Sequence, residues 1–196
     1  MVYTSRLPDQ ASGVAPVKMN NKNSLLKIIK LLSTTLENVS EISGRLIAWL
    51  VLFMILLVSY DVTMRYFFRG GSITLQELEW HFFSAIFLLG AAYTFKHDDH
   101  VRLDLFYQSR FMDEIKRAWI NIIGGIFFLV PFCLLVIVSS WPFVYQSFIH
   151  GEGSPDPGGL PYRWLLKSAI PLGFILLLLQ GLADIFKNLG KVMDRS

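Results

Sequence analysis

Apolar positions gather into four long blocks along the chain, with short polar stretches between them. Residues 42–60, 75–95, 118–141 and 165–183 read as the four blocks. At about 1.5 Å per residue each reaches across a hydrocarbon layer of about 30 Å. Arg45 is the one charge in the first block and Lys167 the one charge in the last. The second opens with Glu77, Glu79 and His81 and then runs uncharged, and the third has no charge and is bracketed by Trp119 and Trp141. Tryptophan at both ends of an apolar block suits the two membrane interfaces. Pro131 and Pro171 predict kinks, which membrane helices tolerate when neighbouring groups satisfy the freed carbonyl.

The flanks carry different patterns. Residues 1–23 are polar, with Pro8, Gly13 and Pro16, and predict a flexible tail. They lack the short apolar run and small-residue site of a secretory signal. In residues 24–41, Leu25, Ile28, Ile29, Leu32, Leu36 and Val39 recur every three or four positions, with Lys27 and Lys30 off that stripe. This predicts an amphipathic helix lying in the membrane interface; an extension of the first spanning helix is the simpler alternative. Residues 184–196 continue the fourth block amphipathically. The expected fold is therefore an all-α membrane protein: a tail at 1–23, an interfacial helix at 24–41, a four-helix transmembrane domain at 42–183 and an amphipathic C-terminus.

Composition agrees. Hydrophobic residues make up 53% and charged residues 17%, against about 25% charged in soluble domains. A net charge of +3 gives no reason to expect nucleic acid. The placement of the basic residues says more. Thirteen lysines and arginines fall in the N-terminal flank, the segment after the second block and the C-terminus. Four (Arg65, Arg69, Arg163 and Lys167) fall at the other ends. The positive-inside rule then predicts both termini in the cytoplasm. Cys133, the single cysteine, lies in an apolar block and reads as a small buried residue.

Candidate chemistry is sparse. The segment KHDDHVRLDLF (96–106) joins His97, Asp98, Asp99, His100 and Asp104, residue types that could ligate a metal. It lacks the partners elsewhere that a defined site needs, and a solvated turn explains it as well. No histidine lies in the first, third or fourth block, so a shared haem is not expected. No nucleophile, zinc-protease or phosphate-loop motif occurs, so no catalytic residue, cofactor or metal is assigned and an enzyme is not expected. Glu77 is the more interesting carboxylate: at the start of a span it either turns toward protein, with Arg65, Arg69, Lys167 or a partner helix as its ion pair, or stays exposed at the interface. Glu79 points about 200° away on a helix and reads as interfacial. Gly90, Gly124 and Gly125 mark faces where helices can approach closely, within this chain or against another.

The stretch ELEWHFFSAIFLLGAAYTFKHDDHVRLDLF resembles the small membrane subunit of tripartite ATP-independent periplasmic (TRAP) transporters, the DctQ family. The matching residues are Glu77-Leu78 at the start of the second span, Gly90-Ala91 within it, and His100-Val101-Arg102-Leu103-Asp104 just beyond it. Leu103 stands where valine is common. The resemblance covers about residues 40–190. SPDPGGLPYRWLLKSAIPLGF resembles a branch with a Pro/Gly-rich loop before the fourth span; Pro155, Pro157 and Pro161 pre-set that backbone and Gly158-Gly159 permit a tight turn. The resemblance implies a bacterial inner-membrane scaffold without enzymatic activity. It implies two protein partners: a large multi-span permease subunit with the substrate and sodium sites, and a periplasmic binding protein that delivers an organic acid. Membrane lipid surrounds the whole. His100 and Asp104 then become structural candidates in a cytoplasmic turn. A membrane anchor of a redox enzyme and a stand-alone small transporter are the alternatives.

Overall fold

The computed structural model describes residues 17–97 and 113–195, with side chains placed for 24–97 and 113–194. Four helices account for them: α1 Val17–Phe67, α2 Ile73–Lys96, α3 Glu114–Ile149 and α4 Arg163–Arg195. Each is long and apolar enough to cross a membrane, and among the described residues there is no strand. The expected four-helix architecture is present.

The helices overrun the sequence blocks. α1 has 51 residues and is unbroken through positions 41–42, so residues 24–41 are continuous with the first span. At 1.5 Å per residue it is roughly 77 Å long, more than twice a bilayer core. Its first half runs beside the last turns of α4. Lys187 Nζ lies 2.9 Å from Glu37 Oε1, and Gly190 faces Ile29. The start of α1 and the end of α4 therefore emerge at one end of the bundle, as an even number of crossings requires.

α4 is the centre. It packs on each of the other three helices, α1 and α2 also pack on each other, and α3 rests chiefly on α4. Glycines set the closest approaches. A Cβ at Gly173 of α4 would stand 2.5 Å from the Leu88 carbonyl oxygen of α2, and one at Gly44 of α1 would enter the Tyr93 ring. A Cβ at Gly125 would stand 2.8 Å from Ile185, and one at Gly181 would strike Leu129. In lipid the tails are as apolar as leucine, so backbone proximity and polar contacts hold helices together rather than a hydrophobic force.

The buried stripe of α1 shows the same logic. Ser33, Ser40, Ile47 and Asp61 are buried, at multiples of seven along one face, while Leu25, Ile28, Leu32, Trp49, Phe53 and Leu56 face outward. Of the apolar stripe of 24–41, Leu25, Ile28, Leu32 and Val39 are thus exposed, while Ile29 and Leu36 are half-buried beside the inward serines. Small residues at the closest contacts with apolar side chains outside them suit a helix in an apolar surround.

In α3, residues Gly125–Leu129 form one π-helical turn, with Val130 N–H bonded to Gly125 O five residues back. Pro131 follows and has no N–H to offer the preceding turn. The strain expected at Pro131 is absorbed in this wider turn, and the helix runs on to Ile149. Asp113 Oδ1 caps the start of α3 by accepting from Glu114 N at 3.0 Å.

Candidate functional site

The best-defined polar centre lies at the bundle end opposite the termini, where residues 150–162 connect α3 to α4. α3 stops because Gly151 takes a left-handed φ of 56°. Gly151 N–H bonds to Phe148 O and Glu152 N–H to Ser147 O, the paired bonds of a Schellman termination. A tight turn follows at Asp156-Pro157-Gly158-Gly159, closed by Gly159 N–H to Asp156 O at 3.0 Å. Proline at its second position and Gly158 at φ 87° fit a type II turn. Ser154 N–H to Leu160 O and Arg163 N–H to Glu152 O close the base of the loop.

Glu77 holds this loop onto α2. Its carboxylate accepts from Ser154 Oγ through one oxygen and from Leu160 N–H, at 2.6 Å, through the other. Ser154 Oγ also accepts from Asp156 N–H, and Thr74 Oγ1 donates to Gly158 O at 2.5 Å. Gly159 must lack a side chain, since a Cβ there would collide with Ser154 Oγ and stand 2.8 Å from Glu77 Oε2. Glu77 is only 5% exposed. It does turn toward protein, but its direct partners are neutral loop donors and not the expected Arg65, Arg69 or Lys167. The Arg163 guanidinium also acts on it through space.

Two of the expected cations are engaged elsewhere. Lys167 pairs with Glu152 and its Nζ sits 4.0 Å over the Phe143 ring. The Lys167 ammonium beside it holds the Glu152 carboxyl below its usual range. Arg65 pairs with Asp61 one turn back, and Asp61 is 1% exposed with Oδ1 lacking a hydrogen-bond partner. Glu79 is half-buried and its Oε1 is shielded from solvent without a partner, so it is more enclosed than an interfacial residue.

At the other end Glu41 of α1 gathers Lys96 at 2.7 Å, His97 at 3.4 Å and Arg45 at 3.6 Å. His97 also stacks on Tyr93 with ring centres 4.4 Å apart. The opening residues of KHDDHVRLDLF thus tie α2 to α1. His100 and Asp104 lie outside the described residues, as do Asp98 and Asp99. Among the described residues, no group of three or more metal-ligating side chains is assembled. Of the proposed packing glycines, Gly125 makes a close approach, Gly90 only an ordinary contact with Ile47 at 4.0 Å, and Gly124 faces open space.

A family model described as "Tripartite ATP-independent periplasmic transporters, DctQ component" matches residues 54–190. The chain belongs to the DctQ family. Its matched region takes in the Glu77 centre, the 150–162 loop and nearly all of α2, α3 and α4. No curated protein matches the chain. The DctQ family is a transporter component and not an enzyme family. With four helices able to span, this DctQ chain is a multi-pass membrane protein.

Some members of the two polar centres escaped sequence reading. Asp61 falls one residue past the first apolar block, yet Asp61/Arg65 and Glu41/Arg45 are both spaced i, i+4, a readable signal. The Glu77 partners gave none, because Ser154 and Leu160 N–H come from 77 and 83 residues along the chain.

Proposed function

We propose that this chain is the fixed membrane subunit of a TRAP-type secondary transporter in a bacterial inner membrane, bracing a large permease subunit that carries the transport path. That subunit would take up an organic acid with sodium, received from a periplasmic binding protein. The family match over residues 54–190 carries the reading. The distribution of charge supports it: residues 46–60, 82–95, 118–149 and 168–183 contain no charged residue, so a relay of ionised groups across the middle is not provided by this chain. The basic asymmetry favours cytoplasmic termini, which puts the 150–162 loop in the periplasm. The apolar outer faces of α1 and α3, with Phe53, Leu56, Phe127, Phe128 and Leu135 exposed, leave ample surface for a helical partner and lipid.

The test is co-expression of the tagged chain with a large multi-span TRAP permease subunit from the same genome. Isolation of the two together in mild detergent is the expected result. Recovery of this chain alone, monodisperse and folded, from cells that make both would overturn the scaffold role.

A further inference from the structure

α2 and α3 both lie against α4 yet hardly touch each other, and the gap between them is a cavity of about 370 Å³. That volume is at the lower end of small-molecule sites. The walls are Leu88 of α2, Phe143 of α3, and Leu166 and Ile170 of α4. The polar groups stand on the side of the 150–162 loop: Arg163, the first residue of α4, and Lys167 one turn on, with Ser84 across from them. Ile170 lies seven residues beyond Arg163, about 10 Å deeper along the axis.

The two cations differ in what they have left to give. Lys167 is occupied by Glu152 and the Phe143 ring. Arg163 is not occupied: among the described residues its guanidinium makes neither a hydrogen bond nor an ion pair, although it is half-buried. The carboxylates that feel its charge already have donors, Glu77 from Ser154 and Leu160, Glu152 from Lys167. Five N–H donors in a planar fork therefore stand among the lining residues of an apolar groove, at the loop end of α4. A fork of this kind matches the two free oxygens of a phosphodiester.

We infer that this groove binds one glycerophospholipid, its phosphodiester on Arg163 and one acyl chain running inward past Phe143 and Leu88 toward Ile170. Charge complementarity at the mouth and an apolar channel below it are the two halves of such a molecule, and a gap between two membrane helices opens sideways to the bilayer. A bound chain would fill the space that α2 and α3 leave between them and so join α3 to the rest of the bundle. The inference requires only that the helices lie in a bilayer; it does not depend on the transporter role.

The experiment is native mass spectrometry of the full-length chain, delipidated in mild detergent with any subunit that accompanies it. It is titrated with phosphatidylglycerol, with glycerophosphoglycerol (head alone) and with diacylglycerol (tails alone). One saturable phosphatidylglycerol adduct is expected. Arg163→Gln should weaken it about tenfold or more, as loss of a charge-assisted pair does. Ile170→Trp, which fills the groove and leaves every charge in place, should abolish it. Head or tails alone should not bind over the same range. Phosphatidylglycerol binding unchanged by both variants would overturn the site. So would equal binding of the head alone, which marks a plain anion contact, or of diacylglycerol, which marks an unspecific apolar groove. Should Arg163→Gln not fold, Ile170→Trp and Arg163→Lys decide in its place. Arg163→Lys keeps the charge but loses the fork and should bind more weakly; binding at full strength in both would overturn the site.

Discussion

Glu77 illustrates what a single carboxylate does at the boundary of this bundle. It fixes a loop from far along the chain by accepting one hydroxyl and one backbone N–H. Glu77→Gln keeps the shape but turns an acceptor-only group into one that offers its own donors. Gly159→Ala keeps every charge but forces a methyl against Ser154 and Glu77. Either change should raise hydrogen exchange at the Leu160 amide by about tenfold, the worth of one hydrogen bond of about 1.4 kcal/mol in the glycine case. Unchanged exchange in both variants would remove the latch. Glu77 was legible in the sequence as a candidate, with an inward ion pair and interfacial exposure both open; its partners were not, because sequence pairs charge with charge and cannot see a backbone N–H delivered by a turn. Glu152 makes a pH-dependent claim. Its carboxyl is held below the ordinary value of 4.5 by the Lys167 ammonium, so the stabilisation is fully present above that value and fades as pH falls through the lowered one. Protection of the loop amides should therefore hold from pH 7 to 5 and fall only in more acidic buffer. In Glu152→Gln this acid-side loss should be smaller, with the Glu77 carboxylate still holding the same loop, and a loss already complete at pH 5 in the unmodified chain would contradict the assignment.

At the scale of elements the four helices were legible, since long uncharged blocks leave no other fold in lipid. Beyond them, 184–196 reads as a continuation of the fourth block, and 24–41 as an interfacial helix with an extension of the first span as its alternative. α1 runs from Val17 and α4 to Arg195 because each supports the other beyond the apolar blocks, through Lys187 and Glu37 and through Gly190 and Ile29. The inner face of α1 was misleading for a related reason. Leucine periodicity marks the buried side in water, whereas here the small residues Ser33, Ser40 and Gly44 face protein. Glycine choice follows the same rule and can be tested by contrast. At Gly173 the obstacle is the Leu88 carbonyl, a backbone atom that cannot swing away, so Gly173→Ala should destabilise by about 1–3 kcal/mol. At Gly124, with nothing within 4 Å, Ala should be neutral or stabilising by about 0.5–1 kcal/mol through helix propensity. Thermal melting of the detergent-purified chain separates the two, and equal effects would mean that the α2–α4 approach is looser than described. Sequence marked Gly124 and Gly125 alike, because adjacent glycines on a helix point about 100° apart and only the neighbour decides which one matters.

The whole molecule has polar order at its two ends and an uncharged middle. Asp61–Arg65, Glu77 with its loop and Glu152–Lys167 stand at one end. Glu41 with Lys96 and His97, and Glu37–Lys187, stand at the other. These clusters fix the helices relative to one another without offering a charged route between the ends among the described residues, which is what the proposed role of a fixed part requires. The family resemblance was readable from Glu77-Leu78, Gly90-Ala91 and the segment after α2, and the match over 54–190 establishes it. The face that would meet the proposed large subunit is not readable from a short motif, because exposed Phe and Leu look the same toward lipid and toward a helix. The most direct test of a fixed, non-conducting subunit is uptake into proteoliposomes driven by a sodium gradient, with the periplasmic binding protein and its labelled organic acid outside. Three preparations are compared: this chain alone, the large subunit alone, and both together. Uptake only when both are present is the predicted result. Uptake by this chain alone, or full uptake by the large subunit without it, would contradict the account.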